Sequence, residues 1–313
     1  MIELDDIKTA AERIAGHVRR TPLMAATALE APPTRAALHL KLECLQASGS
    51  FKARGATNKL LATPPEALKA GVVTASGGNH GLAVARAARS IGASATIFVT
   101  TSTTQAKVDK LNALGADVTV IGSVWNETNE HALAFADRHG AAYFHPFADP
   151  LVVAGQGTLA LEILDQNPGL DTVLIAIGGG GLITGMSVAL KALKPDIRII
   201  GIEPVGAPTF HASVAAGGVV ALDAVTTRVA TMACAKTDEA LFERARPLID
   251  EIVLLEDAEM LDAAKWLWFE MGLAADLSGA AAVAALRTGK VALPPDAVAC
   301  ALVCGAGPDA LMD

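Results

Sequence analysis

Short runs of aliphatic and β-branched residues alternate along the chain with longer stretches in which apolar positions return every three or four residues. The first pattern is that of buried strands, the second that of helices packed on one face. Residues 72–76, 94–99 and 117–121 predict strands, and 80–91, 105–114 and 126–139 predict the helices that follow them. Gly71, Gly92, Gly115 and Gly140 punctuate these units, and the last three each follow a predicted helix, where a left-handed cap is wanted. Successive strand–helix units of this kind specify a parallel sheet with right-handed crossovers. A second series predicts strands at 172–177, 198–203, 251–256 and 297–304, with helices at 182–193, 258–271 and 278–286. Nearer the N-terminus, 38–43 predicts a strand and 54–61 a helix. An opening helix over 5–18 would align Ile7, Ile14 and Val18 on one face. Pro32-Pro33 and Pro64-Pro65 mark loops, and 221–236 has no period and is expected to be irregular.

Composition sharpens this picture. The hydrophobic share is 52% against an aromatic share of 4%, so the core is aliphatic, as suits buried parallel strands between helices. A chain of 313 residues can bury a large core in one domain or two. The formal net charge of -8, without blocks of like charge, argues against nucleic acid or an anionic membrane as a partner. No apolar run approaches the roughly 18 residues of a membrane span, and the acidic start Met1-Ile2-Glu3-Leu4-Asp5-Asp6 has no signal-peptide character. Cys44, Cys234, Cys300 and Cys304 have no CxxC spacing, which predicts free thiols in a reducing cytoplasm. Hydrolase and zinc chemistry find no support, because GxSxG, HExxH and paired CxxC are absent from the sequence.

The candidate chemistry lies in the turns. Lys52 stands in Gly49-Ser50-Phe51-Lys52-Ala53-Arg54-Gly55-Ala56, between a predicted strand and a predicted helix. A lysine amine ordinarily titrates near 10.4, so a nucleophilic one needs a dry or cationic pocket. Gly178-Gly179-Gly180-Gly181 ends a strand and opens a helix, where unpaired N–H groups and the positive dipole end suit a phosphate. The alternative is a tight strand–helix turn. GxxxxGK(S/T) and GxGxxG do not read through it, which removes a nucleotide P-loop and a dinucleotide fingerprint. Ser76-Gly77-Gly78-Asn79-His80-Gly81 is a second turn of the same kind. Ser76 and the adjacent N–H groups suit a carboxylate and Asn79 a ring oxygen, or Asn79 is only a helix cap and His80 a surface residue. Cys304, just before Gly305-Ala306-Gly307, falls at the same sheet edge. An amine that attacks an aldehyde beside a phosphate cradle points to pyridoxal phosphate.

These motifs, together with Ala154-Gly155-Gln156-Gly157-Thr158 and Gly178-Gly179-Gly180-Gly181-Leu182, resemble the fold-type-II pyridoxal-phosphate enzymes, specifically the serine/threonine dehydratase and serine racemase group. The resemblance runs from about Ile7 to Cys304. It implies an α/β fold like the tryptophan synthase β subunit, with two open parallel-sheet domains. A large cofactor-binding domain would comprise 1–62 and 149–313, and a small mobile domain 63–148. Lys52 would attach the cofactor aldehyde, Phe51 would line the ring pocket and Asn79 would bond the ring hydroxyl. Gly178, Gly179, Gly180, Gly181 and Leu182 would cradle the phosphate, and Cys304 would face the ring nitrogen. Ser76, Gly77, Asn79 and His80 would meet the substrate carboxylate. The expected reaction is elimination from a β-hydroxy amino acid, L-threonine or L-serine, to a 2-oxo acid and ammonia, in a cytoplasmic homodimer. Lys52, displaced by the substrate amine, would remove the α-proton. A neutral thiol at the ring nitrogen stabilises a protonated ring less than a carboxylate would, which favours elimination over transamination.

Several positions depart from that pattern. Racemases of the group carry a second serine where this chain has Gly77, which ranks dehydratase above racemase. Relatives bind a divalent cation through an acid pair; here Glu203 stands opposite Thr209, so a cation site would lack a hard ligand and weak or no metal stimulation is expected. Asp276-Leu277-Ser278-Gly279 replaces a Glu-Pro-containing stretch with a shorter acid, and Ala230-Thr231 replaces an Asp-Gly or Asp-Ser pair. Such changes admit another hydroxy amino acid, 3-hydroxyaspartate or an aryl-serine. The remaining alternatives are a serine racemase, a synthase performing β-replacement, and a non-catalytic binding protein on the same fold.

Overall fold

The predicted alternation of strands and helices is realised as two separate sheets in the computed structural model, which describes residues 2–311. The strands are β1 (Leu23–Ala25), β2 (Ala37–Lys41), β3 (Val72–Ala75), β4 (Ala95–Val99), β5 (Asp117–Val120), β6 (Ala142–Tyr143), β7 (Thr172–Ala176), β8 (Arg198–Pro204), β9 (Glu251–Leu255) and β10 (Val298–Leu302). The helices are α1 (Leu4–Ile14), α2 (Lys52–Ala62), α3 (Asn79–Ser90), α4 (Gln105–Ala113), α5 (Trp125–His139), α6 (Pro150–Gln166), α7 (Gly181–Leu193), α8 (Thr209–Ala216), α9 (Glu239–Ala245), α10 (Asp257–Met271) and α11 (Leu277–Arg287).

One sheet has the order β1-β2-β10-β7-β8-β9 and the other β5-β4-β3-β6. Every pairing is parallel except β1 with β2, where Leu23 faces Lys41. All residues of β3 and β7 are buried, as expected of strands covered on both faces. The helix-ending glycines adopt the predicted left-handed conformation, with φ of +73° at Gly92, +83° at Gly115 and +68° at Gly140. The largest apolar cluster surrounds the six-stranded sheet, and smaller ones flank the four-stranded sheet. All four cysteines are free, and no helix among the described residues is long and apolar enough to cross a membrane.

Some elements differ from the expectation. The opening helix ends at Ile14, because Ala15 turns extended and Gly16 takes φ +79°, so Val18 lies beyond it. β10 stops at Leu302, and Cys304 follows in a loop that still hydrogen-bonds to the Phe51 N–H. The helix α6 has no counterpart in the periodicity. Its Gly155 and Gly157 read as breakers, yet they serve close helix contact: a β-carbon on Gly155 would lie 2.6 Å from Gly55 Cα, and one on Gly157 2.8 Å from the Gly185 carbonyl oxygen. The expected irregular segment 221–236 carries no named helix or strand.

Candidate active site

The glycine turns follow the C-terminal ends of β3, β7 and β10, where ligand sites in open α/β sheets lie. Lys52 is the first residue of α2. Ser50 pairs with Gly305 as an antiparallel bridge, and Phe51 N–H donates to Cys304 O at 3.1 Å. These bonds fix the lysine to the end of β10. Lys52 Nζ donates to Pro146 O at 2.7 Å and lies 5.1 Å from the centre of the Phe51 ring. Burial lowers its pKa from 10.5 to about 8, only partly offset by Cys304 and Cys234. An amine with so low a pKa keeps an appreciable neutral fraction at physiological pH, which makes it a usable nucleophile.

Behind Lys52, α2 is held by a buried ionic network. Arg54 donates through Nε and Nη2 to Glu43 at 2.8 Å each, and its Nη1 is 2.9 Å from Glu162. Lys41 Nζ reaches Glu162 at 2.6 Å. The paired geometry satisfies charges that burial alone would expel.

The turn Gly178-Gly179-Gly180-Gly181 joins β7 to α7. Gly180 takes φ +93°, and the first helical bond runs from Thr184 N–H to Gly180 O at 3.0 Å. Among the described residues, no acceptor takes the N–H groups of Gly178, Gly179, Gly180, Gly181 or Leu182. The glycines are enforced by close approach. A β-carbon on Gly179 would lie 2.3 Å from the Phe147 ring, and one on Gly178 2.9 Å from Thr231 O. The irregular segment thus packs against the turn.

On the other side, Asn79 begins α3 and donates through Nδ2 to Asp276 Oδ2 at 3.0 Å, keeping its second N–H and its oxygen for another group. Ser76 Oγ accepts from Gly78 N–H at 3.3 Å. His80 is buried rather than exposed, with Nε2 3.1 Å from Phe144 O. Burial, and then the charge of Lys52, hold its pKa well below the usual value. The ring is therefore neutral and anchored to the chain, so its cationic form is not at hand for a carboxylate.

Cys304 is buried, its Sγ 3.6 Å from Ser278 Oγ, and burial followed by the nearby Asp276 pushes its thiol pKa up. The thiol is neutral, as the sequence led us to expect. Asp276 caps α11, accepting from Gly279 N–H at 2.6 Å and Ser278 Oγ at 2.7 Å. The shorter acid is thus occupied within the protein. Ser278, named in the sequence only within the Asp276 stretch, lies beside the thiol, while Pro146 and Phe147, beside Lys52 and the glycine turn, carry no motif that marks them. The signal available was one aromatic residue in His145-Pro146-Phe147, outside any periodic run.

Glu203 has a role within the protein. Its Oε1 accepts from Phe210 N–H and its Oε2 from His211 N–H, both at 2.8 Å, so the carboxylate caps α8. Thr209, the supposed partner position, donates its hydroxyl to Cys234 O. No group of three or more His, Cys, Asp or Glu residues positioned for a metal occurs among the described residues.

The donor set fits pyridoxal phosphate. A lowered-pKa amine would meet the aldehyde, free N–H groups at a helix start with no acid in its first turn would meet the phosphate, and Asn79 and Cys304 would offer polar contacts to a ring.

Comparison with known proteins agrees. The family described as pyridoxal-phosphate dependent enzyme matches residues 14–305. An L-threonine ammonia-lyase of Thermotoga maritima is 38% identical over 286 residues, covering 91% of this chain and 71% of that one. A serine racemase of Arabidopsis thaliana is 36% identical, covering 90% of this chain and 84% of its own. The solved structure of maize serine racemase superposes with a TM-score of 0.92 at 33% identity, covering 97% of this chain and 93% of that one. An aldehyde-ready lysine, a phosphate-ready turn and this match over most of its length lead to one conclusion: the chain belongs to the family of pyridoxal-phosphate-dependent enzymes.

Proposed function

We propose that the chain is a lyase that eliminates the β-hydroxyl of L-threonine or L-serine, releasing a 2-oxo acid and ammonia. The observation that carries this is Lys52, a half-buried amine titrating at about 8, pinned by Phe51 to Cys304 and placed near a turn of free N–H groups. Relatives bearing the name L-threonine ammonia-lyase, at 38% identity, support the substrate class.

When bound, pyridoxal phosphate supplies an electron sink that acidifies the α-C–H of the amino acid it holds. The chain supplies the rest. Lys52 would hold the aldehyde, and its Nζ is the group that would take the α-proton. The N–H groups of Gly178, Gly179, Gly180, Gly181 and Leu182 would hold the phosphate, Phe51 would line the ring pocket, and Asn79 would orient the ring oxygen. Ser76, with the backbone N–H groups of Gly77, Asn79 and His80, receives the substrate carboxylate. Neutral Cys304 would offer a bound ring no strong counter-charge, which would favour loss of the β-hydroxyl. We read 63–148 as a small domain that moves over the site, 1–62 with 149–313 as the large domain, and the enzyme as a cytoplasmic homodimer.

The test is release of 2-oxo acid and ammonia from a panel of β-hydroxy amino acids, with pyridoxal phosphate present. Turnover of L-threonine or L-serine that vanishes in Lys52→Ala supports the reading. Turnover confined to 3-hydroxyaspartate or an aryl-serine moves the substrate, and a loaded but inert protein rejects the lyase. The second reading, serine racemase, rests on the 36% identical plant relative and is disfavoured by Gly77, which has no proton to give. Chiral analysis of recovered serine separates the two.

A further inference from the structure

The space beside Gly77 is filled by a hydroxyl from another part of the chain. A β-carbon on Gly77 would lie 2.9 Å from both Cγ2 and Oγ1 of Thr103. Thr103 belongs to the loop between β4 and α4, within Thr100-Thr101-Ser102-Thr103-Thr104. Its N–H donates to Thr100 O at 3.0 Å, so the loop turns tightly here. Thr103 Oγ1 is 3.2 Å from Thr100 Oγ1, which is 2.9 Å from Ser102 Oγ. Each hydroxyl gives one hydrogen and accepts others. If Ser102 donates to Thr100 and Thr100 to Thr103, the Thr103 hydrogen is left for an external acceptor. Each bond in such a series polarises the next, which strengthens the final donor. Beside it the turn is open, since a β-carbon on Gly78 would meet nothing within 4 Å.

We propose that Thr103 is a substrate-binding residue whose hydroxyl donates to the carboxylate of the amino acid held at the Ser76-Gly77-Gly78-Asn79 turn. It stands where a side chain at position 77 would otherwise reach, so glycine at 77 and threonine at 103 form a matched pair. The proposal rests on reading that turn as the carboxylate site.

The experiment measures binding to the pyridoxal-phosphate-loaded enzyme, from the change in the cofactor's visible absorbance. The probes are glycine, which has a carboxylate and no leaving group, and glycinamide, which lacks the charge. Thr103→Val should weaken glycine on the order of tenfold or more, the scale of a hydrogen bond to a charged group, and leave glycinamide unchanged. Thr103→Ser should restore glycine binding. Gly77→Ser should also weaken glycine, because the new β-carbon crowds Thr103. Thermal midpoints of all variants report folding separately. Equal loss of both probes in Thr103→Val, or a Thr103→Ser variant no better than valine, would show a merely structural residue and overturn the proposal. Unchanged glycine binding in Thr103→Val with a loss in Ser76→Ala overturns Thr103 alone. Unchanged binding in both overturns the carboxylate site with it.

Discussion

Asn79 Nδ2 donates to Asp276 Oδ2 at 3.0 Å, joining residues 197 positions apart. The bond ties the first turn of α3, which follows the four-stranded sheet, to the cap of α11, which packs on the six-stranded one. Asp276 also accepts from Ser278 and Gly279, so its removal strands three donors at once. Asp276→Ala should cost about 2–4 kcal/mol, the sum of a lost cap and unpaired buried groups. It should also loosen cofactor retention through Asn79. Denaturant unfolding and cofactor content after gel filtration check this. Full stability in the variant would show that water replaces the carboxylate.

Lys52 sets a pH dependence. With its pKa lowered from 10.5 to about 8, the amine becomes neutral as pH passes about 8. Capture of pyridoxal phosphate by the apoenzyme should therefore accelerate with a midpoint at about 8, read from the growth of the visible band. Between about 8 and 10.5 the unfolded chain binds more protons at this residue than the folded one, so its contribution to stability rises with pH across that window. A capture midpoint at the ordinary lysine value would mean the pocket is wet.

Arg54 is buried against Glu43 and Glu162. Arg54→Met would leave both carboxylates without their shared cation and should cost about 3–5 kcal/mol. Arg54→Lys, a point charge that cannot form the two-bond contact with Glu43, should fall between. Urea unfolding midpoints give the answer, and a change below about 1 kcal/mol would show the acids to be reprotonated or rehydrated at little cost.

Glu203 caps α8 with both oxygens. Magnesium or calcium should therefore leave turnover unchanged relative to a chelator, and cation stimulation would refute the assignment. Burial raises its pKa from 4.5 to about 7, so the protonated form is favoured by folding. The associated stability is present at low pH and fades as pH rises through about 7. Glu203→Gln should remove that slope in thermal midpoint against pH, and lower stability by about 1–3 kcal/mol because one N–H loses its acceptor.

The sequence made the sheets legible where a strand was buried on both faces, as in β3 and β7, because such strands are continuous apolar runs. It made Lys52 and the α7 turn legible because glycines and a lone lysine are local signals. It hid α6, whose Gly155 and Gly157 break the period to let α2 and α7 approach. It hid β1 and β6, too short for any period. His80 was legible as part of a motif, but its burial against Phe144 depends on packing from residues far along the chain. The partners Asp276, Ser278, Phe147 and Thr103 reach the site from loops and helix ends, where position is set by tertiary contact and no periodicity reports it.

The glycine contacts of α6 have a consequence for distance. A β-carbon on Gly55 would lie 2.6 Å from Val152 O, and one on Gly185 would lie 2.4 Å from Val153 O. The helix that carries Lys52 and the helix that begins at the phosphate turn are therefore both gauged against the same backbone, main chain to main chain. The separation between the backbone of Lys52 and the backbone of the glycine turn is therefore set by atomic radii, and side-chain rotamers adjust only what lies between them.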